Sequence, residues 1–502
     1  MKNTVSLSGI EIIDRASVLH PGREAILDAG KAYTYSDLLD ASACIASVLL
    51  QGRKDLAGER VAYLVPSSFD YAAVMWAIWR AGGIAVPLCT QHPARELSYA
   101  IADSDAGIVI AHPDFQAILE PIARQDGRRY LSTTDILPQP PVQLPQVDSQ
   151  RGALILYTSG TTSKPKGVLS THASLSAQIK SLVLAWEWSE HDRSLLFLPL
   201  HHIHGILNIL SCTIWAGGRC EIMKSFDAEA VWQRIAGDSI SVFMAVPTVY
   251  ARLIDAWDAA PPDKRAEMSA GCRRLRLMVS GSAALPVTMF QRWQQISGHA
   301  LLERYGMTEL GMALSNPLHG ARLPGHVGSP LPGVDVRLAD DLNQPVDDGV
   351  IGEIQVRGET VFREYWRMPD ATREAFVDCW FRTGDVAVRE DDVYRILGRN
   401  SVDIIKTGGY KVSALEIEEE LRQNPAIDQC AVVGLPDPEW GERVAVAVVV
   451  RQGQSIDLKT LRHWAKERLA VYKVPSLLLC VSDLPRNAMG KVVKPDVSKL
   501  FE

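Results

Sequence analysis

The sequence predicts an α/β protein: a large N-terminal domain of α/β sheet layers that carries a small β-rich subdomain, followed by a small α+β C-terminal domain. Three observations predict it. Strands and helices alternate through the first third; from Val334 to Val388 the pattern changes to short strands and turns; and the polar, glycine-bearing stretch that begins at Gly398-Arg399 precedes a last set of helices and strands. Repeated β-α-β order implies a largely parallel sheet. The domains therefore fall at 1–399, with the β-rich part at about 320–399, and at 400–502.

Arg60 to Val65 is a strand, and Phe69 to Ala81 is a helix apolar on nearly all sides, which must be buried. Gly82 and Gly83 close that helix, Ile84 to Leu88 resumes as a short apolar strand, and Leu97 to Asp103 starts another helix before the strand Gly107 to Ala111. The proline-rich run Leu137 to Val147 has the composition of an exposed connector. The apolar strand Ala153 to Tyr157 follows it, and whatever comes next sits at a sheet's carboxyl edge, where open α/β sheets bind ligands. Leu195 to Leu200, with Pro199 near its end, and Leu275 to Val279, leading into Ser280-Gly281-Ser282, are similar junctions. Gly352 to Arg357 is a strand of the β-rich part. Beyond Arg399 come a helix at Ala414 to Gln423, strands at Gln429 to Val433 and Val444 to Val450, and a helix at Leu458 to Leu469.

Composition bounds the function. Of the 502 residues 47% are hydrophobic and 22% charged, the usage of a folded globular chain of about three packed units. A net charge of −7 with both signs interspersed announces no nucleic-acid face. The first residues lack the layout of a signal peptide, and no stretch of about 18 apolar residues follows, so a cytoplasmic protein with no membrane partner is expected. The eight cysteines are scattered without zinc spacing, and most read as small buried hydrophobes.

The strongest motif is Tyr157-Thr158-Ser159-Gly160-Thr161-Thr162-Ser163-Lys164-Pro165-Lys166-Gly167. Hydroxyls, glycines and two lysines directly after a buried strand are what a phosphate cradle needs: backbone N–H groups free to point inward, further donors and positive charge. No Gly-Lys-Ser/Thr closes it, so it is not a Walker loop. The string resembles the phosphate loop of the adenylate-forming superfamily, which includes acyl-CoA synthetases, luciferases and peptide-synthetase adenylation domains. Tyr305-Gly306-Met307-Thr308-Glu309, Thr383-Gly384-Asp385, the Gly398-Arg399 segment and Pro485-Arg486-Asn487-Ala488-Met489-Gly490-Lys491 follow in that family's order, so the resemblance covers almost the whole chain.

The resemblance implies an enzyme that uses ATP, Mg²⁺ and CoA to adenylate a carboxylic acid and pass the acyl group to a thiol. It puts Tyr305 against the adenine, Thr308 on the α-phosphate, Asp385 on the ribose hydroxyls and Arg399 on ribose or phosphate, with Thr158, Ser159, Gly160, Thr162, Lys166, Ser282, Ala283 and Gly306 completing the nucleotide site. Glu309 and Thr161 are the implied metal ligands, and a carboxylate is a hard oxygen donor suited to Mg²⁺. Lys491 resembles the mobile lysine that bridges carboxylate and α-phosphate, and also the lysine that acetylation silences, which makes a lysine acetyltransferase a candidate partner. On their own, Asp385 would read as a turn residue and Lys491 as a solvated lysine. Ser401 stands at the implied hinge of a mobile C-terminal domain, one residue further from the glycine pair than in many relatives. Gly408, Gly409 and Tyr410 would line the CoA tunnel.

His201-His202-Ile203-His204 has the residue types of a metal cluster, but the loop after Pro199 resembles the family's acyl gate, which assigns His202 to the gate and His204 to the acyl pocket. Leu302 to Ser315 and Leu323 to Val334 resemble malonyl-CoA synthetases, and Val279 to Pro286, Gly398 to Glu416 and Pro485 to Lys491 resemble more narrowly the acyl-CoA synthetase family member 3 group. A dicarboxylate needs a cation or several donors at its buried end; His204, Ser280 and Arg252 are the candidates, with a helix-surface arginine as the other reading of Arg252. A medium- or long-chain fatty acyl-CoA synthetase, a stand-alone enzyme loading a carrier protein and a silent ATP-binding module remain as alternatives.

Overall fold

A computed structural model describes residues 8–18, 21–135, 142–158, 165–400, 402–407, 410–438, 440–486 and 492–501. The helix Phe69–Arg80 shows how the N-terminal part is assembled. Ser68 caps it by accepting from the Tyr71 N–H, and every residue but Asp70 and Arg80 is buried, as an all-round apolar helix requires. Trp79 anchors it by donating from Nε1 to the Ala153 carbonyl, 2.7 Å away, on the strand that leads to the phosphate-loop motif.

That strand, Gly152–Thr158, belongs to a seven-stranded sheet whose order is Glu364–Tyr365, Lys166–Thr171, Gly152–Thr158, Ile84–Pro87, Arg60–Leu64, Ile108–Ala111 and Arg129–Ser132. The last five run parallel, while Lys166–Thr171 turns back antiparallel, so the residues between Thr158 and Lys166 join two hydrogen-bonded neighbours. A nine-stranded sheet has a parallel centre of Leu302–Met307, Leu277–Ser280, Val242–Ala245, Arg193–Leu196, Arg219–Ile222 and Glu24–Asp28, edged by antiparallel strands. One continuous apolar core joins both sheets.

The β-rich part is a five-stranded sheet around the long strand Trp380–Glu390, and its strand Val393–Arg399 is the last before a separate sheet begins at Ile404–Thr407. That final sheet buries its own apolar clusters. Polar contacts hold it in place, among them Ser413 Oγ donating to the Leu397 carbonyl of the preceding sheet. Glu419 Oε1 accepts from the Val287 N–H at the start of the helix Val287–Ser297 (2.9 Å), and Lys494 bridges Asp403 (2.7 Å) and Glu418 (2.8 Å).

Several elements are shorter than the sequence predicts. The strand expected at Leu195 to Leu200 ends at Leu196, because the chain turns to enter a π-helix, His204–Ser211, whose Gly205 packs so closely that a Cβ there would lie 2.9 Å from the Pro199 carbonyl oxygen. The helices expected to reach Gln423 and Leu469 end at Leu421 and Lys466.

Candidate active site

The carboxyl ends of the parallel strands of the nine-stranded sheet converge on Ser280, Tyr305 and the loop after Leu196. Around them two groups of polar side chains are set a few residues apart. Tyr305 and Asp385 form the first. Tyr305 is buried and donates from its hydroxyl to Asp385 Oδ2 at 2.6 Å. Asp385 pairs in register with Arg399 on the adjacent strand, and Arg399 Nε faces Asp385 Oδ1 at 3.3 Å. The Arg399 N–H in turn donates to Asp403 Oδ2, which fixes the start of the segment leading into the final sheet. The next group is Glu309, whose Oε1 accepts from the Tyr365 hydroxyl at 3.0 Å, with Lys166 Nζ 4.7 Å above the Tyr365 ring. Burial raises the Glu309 carboxyl above its ordinary value, against the opposing pull of Tyr365, Arg399 and Lys166. Gly306, between the two groups, has no room for a side chain: a Cβ would lie 2.0 Å from the Gly311 carbonyl oxygen. Thr308 is half-buried in the turn that follows, and Thr158 ends its strand with Oγ1 3.5 Å from the Lys166 carbonyl.

At the other end the pairing is incomplete. His204 Nδ1 and Arg304 Nη2 both lie 3.2 Å from Ser282 Oγ. Ser282 holds a φ of +66°, a left-handed conformation that a residue with a Cβ adopts at a cost, and a Cβ on Gly281 would meet the Arg304 guanidinium at 2.6 Å. Beyond these contacts the buried polar atoms His204 Nε2, Ser280 Oγ and Arg304 Nε find no partner among the described residues. Arg304 is 3% exposed; burial pushes its guanidinium down to about 10, so it keeps its charge at neutral pH. His204 is driven well below the ordinary imidazole range by burial, with the Arg304 charge as the second cause, and is neutral. His202 is pushed down to about 4 by burial and the neighbouring His92, and its Nε2 is also unpaired.

Arg252 does not join this cluster. It is exposed on the helix Pro247–Ala259 and lies 4.7 Å over the Phe226 ring, so the helix-surface reading of it holds and the acyl-site reading is corrected: the cation beside His204 and Ser282 is Arg304, while Ser280 pairs in register with Glu303. The sequence carried a signal for this, since Arg304 is a charge inside the apolar strand Leu302–Met307. Ser282, read as a nucleotide contact, is exposed and sits between His204 and Arg304, with the exposed Ala283 beside it. Tyr410 is exposed and stacks on Tyr472 with ring centroids 4.2 Å apart. Ser159, Gly160, Thr161, Thr162, Ser401, Gly408, Gly409 and Lys491 lie outside the described residues.

Among the described residues no group of three or more His, Cys, Asp or Glu surrounds a metal position, and His201, His202 and His204 do not form one. Glu309 alone fits Mg²⁺, which takes one or two carboxylates together with phosphate oxygens and retained waters rather than a full protein cage.

Sequence comparison matches residues 13–366 to the model of the AMP-binding enzyme family and residues 416–491 to that of the AMP-binding enzyme C-terminal domain. The chain belongs to the AMP-binding enzyme family. Within it, the chain is 46% identical to the mitochondrial malonate–CoA ligase ACSF3 of Mus musculus, over 95% of this chain and 88% of that protein, and 40% identical to the malonate–CoA ligase of Arabidopsis thaliana, over 96% and 86%. The fold matches the crystal structure of ATP-bound MatB from Rhodopseudomonas palustris with a TM-score of 0.91 and 34% identity, over 98% of this chain and 99% of that one.

Proposed function

We propose that this AMP-binding family enzyme is an AMP-forming acid–thiol ligase that activates malonate or methylmalonate with ATP and transfers the acyl group to CoA. One observation carries the choice of acid. Arg304, a buried cation whose Nε has no partner among the described residues, stands beside Ser282, which His204 also reaches, and the second carboxylate of a short diacid supplies both a counter-charge and an acceptor. A fatty acid would leave the same atoms facing methylene groups, at the full cost of their desolvation.

The chemistry needs no protein nucleophile. The acid's free carboxylate oxygen attacks the α-phosphorus of ATP in line, pyrophosphate leaves, and the acyl-adenylate remains, so positioning and charge stabilisation are the protein's tasks. Arg304, Ser280 and His204 hold the distal carboxylate and so aim the other one. Neutral His202 shields the reacting carboxylate from water without forming an ion pair. Asp385, steadied by Tyr305 and Arg399, is the acceptor for the ribose hydroxyls. Mg²⁺ held at Glu309 would add positive charge at the phosphates, and Lys491 takes the bridging role by its motif. In the second half-reaction the CoA thiol attacks the acyl carbonyl and AMP departs. A turn of the C-terminal part about Ser401 to admit the thiol would break the Glu419 to Val287 contact. A carrier-protein thiol as acceptor and an acetyltransferase acting on Lys491 are further proposals that the same chemistry allows.

The test is pyrophosphate release with ATP, Mg²⁺ and CoA across malonate, methylmalonate, succinate, acetate, butyrate, octanoate, palmitate and benzoate. The reading expects malonate or methylmalonate to lead; a preference for octanoate or palmitate would refute it.

A further inference from the structure

Asn208 is a polar residue of the π-helix that the steps above leave without a task. It lies four residues beyond His204 in His204–Ser211, and where hydrogen bonds run from residue i to i+5, positions four apart fall close to one face. Ile206, Leu207, Ile209 and Leu210 around it are all buried, so this run of chain is apolar except for one amide. That amide is wholly buried, and neither its Nδ2 nor its Oδ1 has a hydrogen-bond partner among the described residues. Burying an unpaired amide is costly, and Leu, with the same branched shape, would have avoided the cost entirely. His204, at the start of the same face, also has an unpaired nitrogen and reaches Ser282, which Arg304 shares.

We propose that Asn208 is a specificity-determining residue that closes the acyl pocket behind His204, its amide NH₂ donating to the distal carboxylate that Arg304 charges. This rests on the dicarboxylate reading above. Arg304 supplies charge and Asn208 supplies depth: an acid with no second carboxylate offers the amide no acceptor. The amide is neutral and cannot titrate, whereas the histidines beside it are held neutral by burial together with neighbouring groups, Arg304 for His204 and His92 for His202.

The experiment uses the full chain and two variants, Asn208→Leu and Asn208→Ser, with kcat/KM for malonate and butyrate and Tm with and without malonate. Asn208→Leu is expected to lower the malonate-to-butyrate ratio roughly 10- to 100-fold, the value of a hydrogen bond to a charged group. Its Tm without ligand should equal or exceed that of the wild type, because an unpaired amide is replaced by an apolar group of its own shape, and the Tm gain on adding malonate should shrink. Asn208→Ser keeps a donor and should recover part of the ratio. A structural role would instead lower Tm and depress both acids together, and that result overturns the proposal. If the wild type turns over malonate and Asn208→Leu keeps its ratio, this inference fails alone; if the wild type is idle on malonate, the dicarboxylate reading fails with it.

Discussion

The nucleotide end of the site and the acyl end are built on the same strand, Leu302–Met307, yet they treat their polar groups in opposite ways. At the nucleotide end, among the described residues, Tyr305 donates to Asp385, Arg399 faces the same carboxylate and Tyr365 donates to Glu309, so these side chains are already held by one another. At the other end, one residue earlier, Arg304 Nε, with Ser280 Oγ and His204 Nε2, is buried without a partner among the described residues. Preorganised pairing suits a ligand common to the whole family, whereas unpaired buried atoms are tolerated only where a particular ligand completes them. The incomplete end is therefore the one to which the proposed function assigns the choice of substrate.

The largest expected effect separates the two ends. Arg304→Met should lower kcat/KM for malonate by roughly a hundredfold or more, because a carboxylate left in that pocket would lose its buried counter-charge. KM for ATP should stay close to the wild-type value. Steady-state kinetics with malonate and butyrate in parallel checks this, and an equal loss on both acids would erase the distinction between the ends. Asp385→Asn probes the other end. Removing a charged acceptor should raise KM for ATP about tenfold, by the same factor whichever acid is present.

Glu303 sharpens the comparison from the far side of the same strand. Its Oε1 accepts from the Leu285 N–H, its Oε2 is buried and unpaired, and burial pushes the carboxyl up to about 8. Here an unpaired atom is met by a retained proton instead of a ligand. The unfolded chain releases that proton near pH ~4.3 and the folded chain only near 8. Between those values the folded state binds more protons, so stability is full at the acid end and falls as pH rises through about 8. Glu303→Gln should flatten that decline, giving its largest Tm advantage over the wild type at about pH 9 and little at about pH 5. A parallel decline in both proteins would show that Glu303 is not the titrating group. The smallest effect is expected at Arg252. Its guanidinium stacks on Phe226 at the surface, so Arg252→Ala should change the malonate-to-butyrate ratio less than about twofold.

The legibility of the sequence follows the same division. Phosphate chemistry is written in short contiguous strings, so Tyr305, Thr308, Glu309 and Asp385 could be picked out before any coordinates. The proposed acyl end is written in single residues separated by long loops: Arg252 and Arg304 carry the same charge, and only the fold exposes the first and buries the second. Charge in a buried strand was the overlooked signal, as was Asn208 in the apolar run after the histidines. The parallel sheet was legible from strand and helix alternation. The π-helix was not, because its sequence, His204–Ser211, has the hydrophobic pattern of an ordinary buried helix and its geometry comes from the close approach of Gly205 to Pro199.

The most direct test is a crystal structure with ATP and malonate, or with a stable analogue of malonyl-adenylate. The account predicts the distal carboxylate within hydrogen-bond distance of the Arg304 guanidinium and Ser280, with the ribose on Asp385. A distal carboxylate beside Arg252, or an acyl group that leaves Arg304 unpaired, would contradict it.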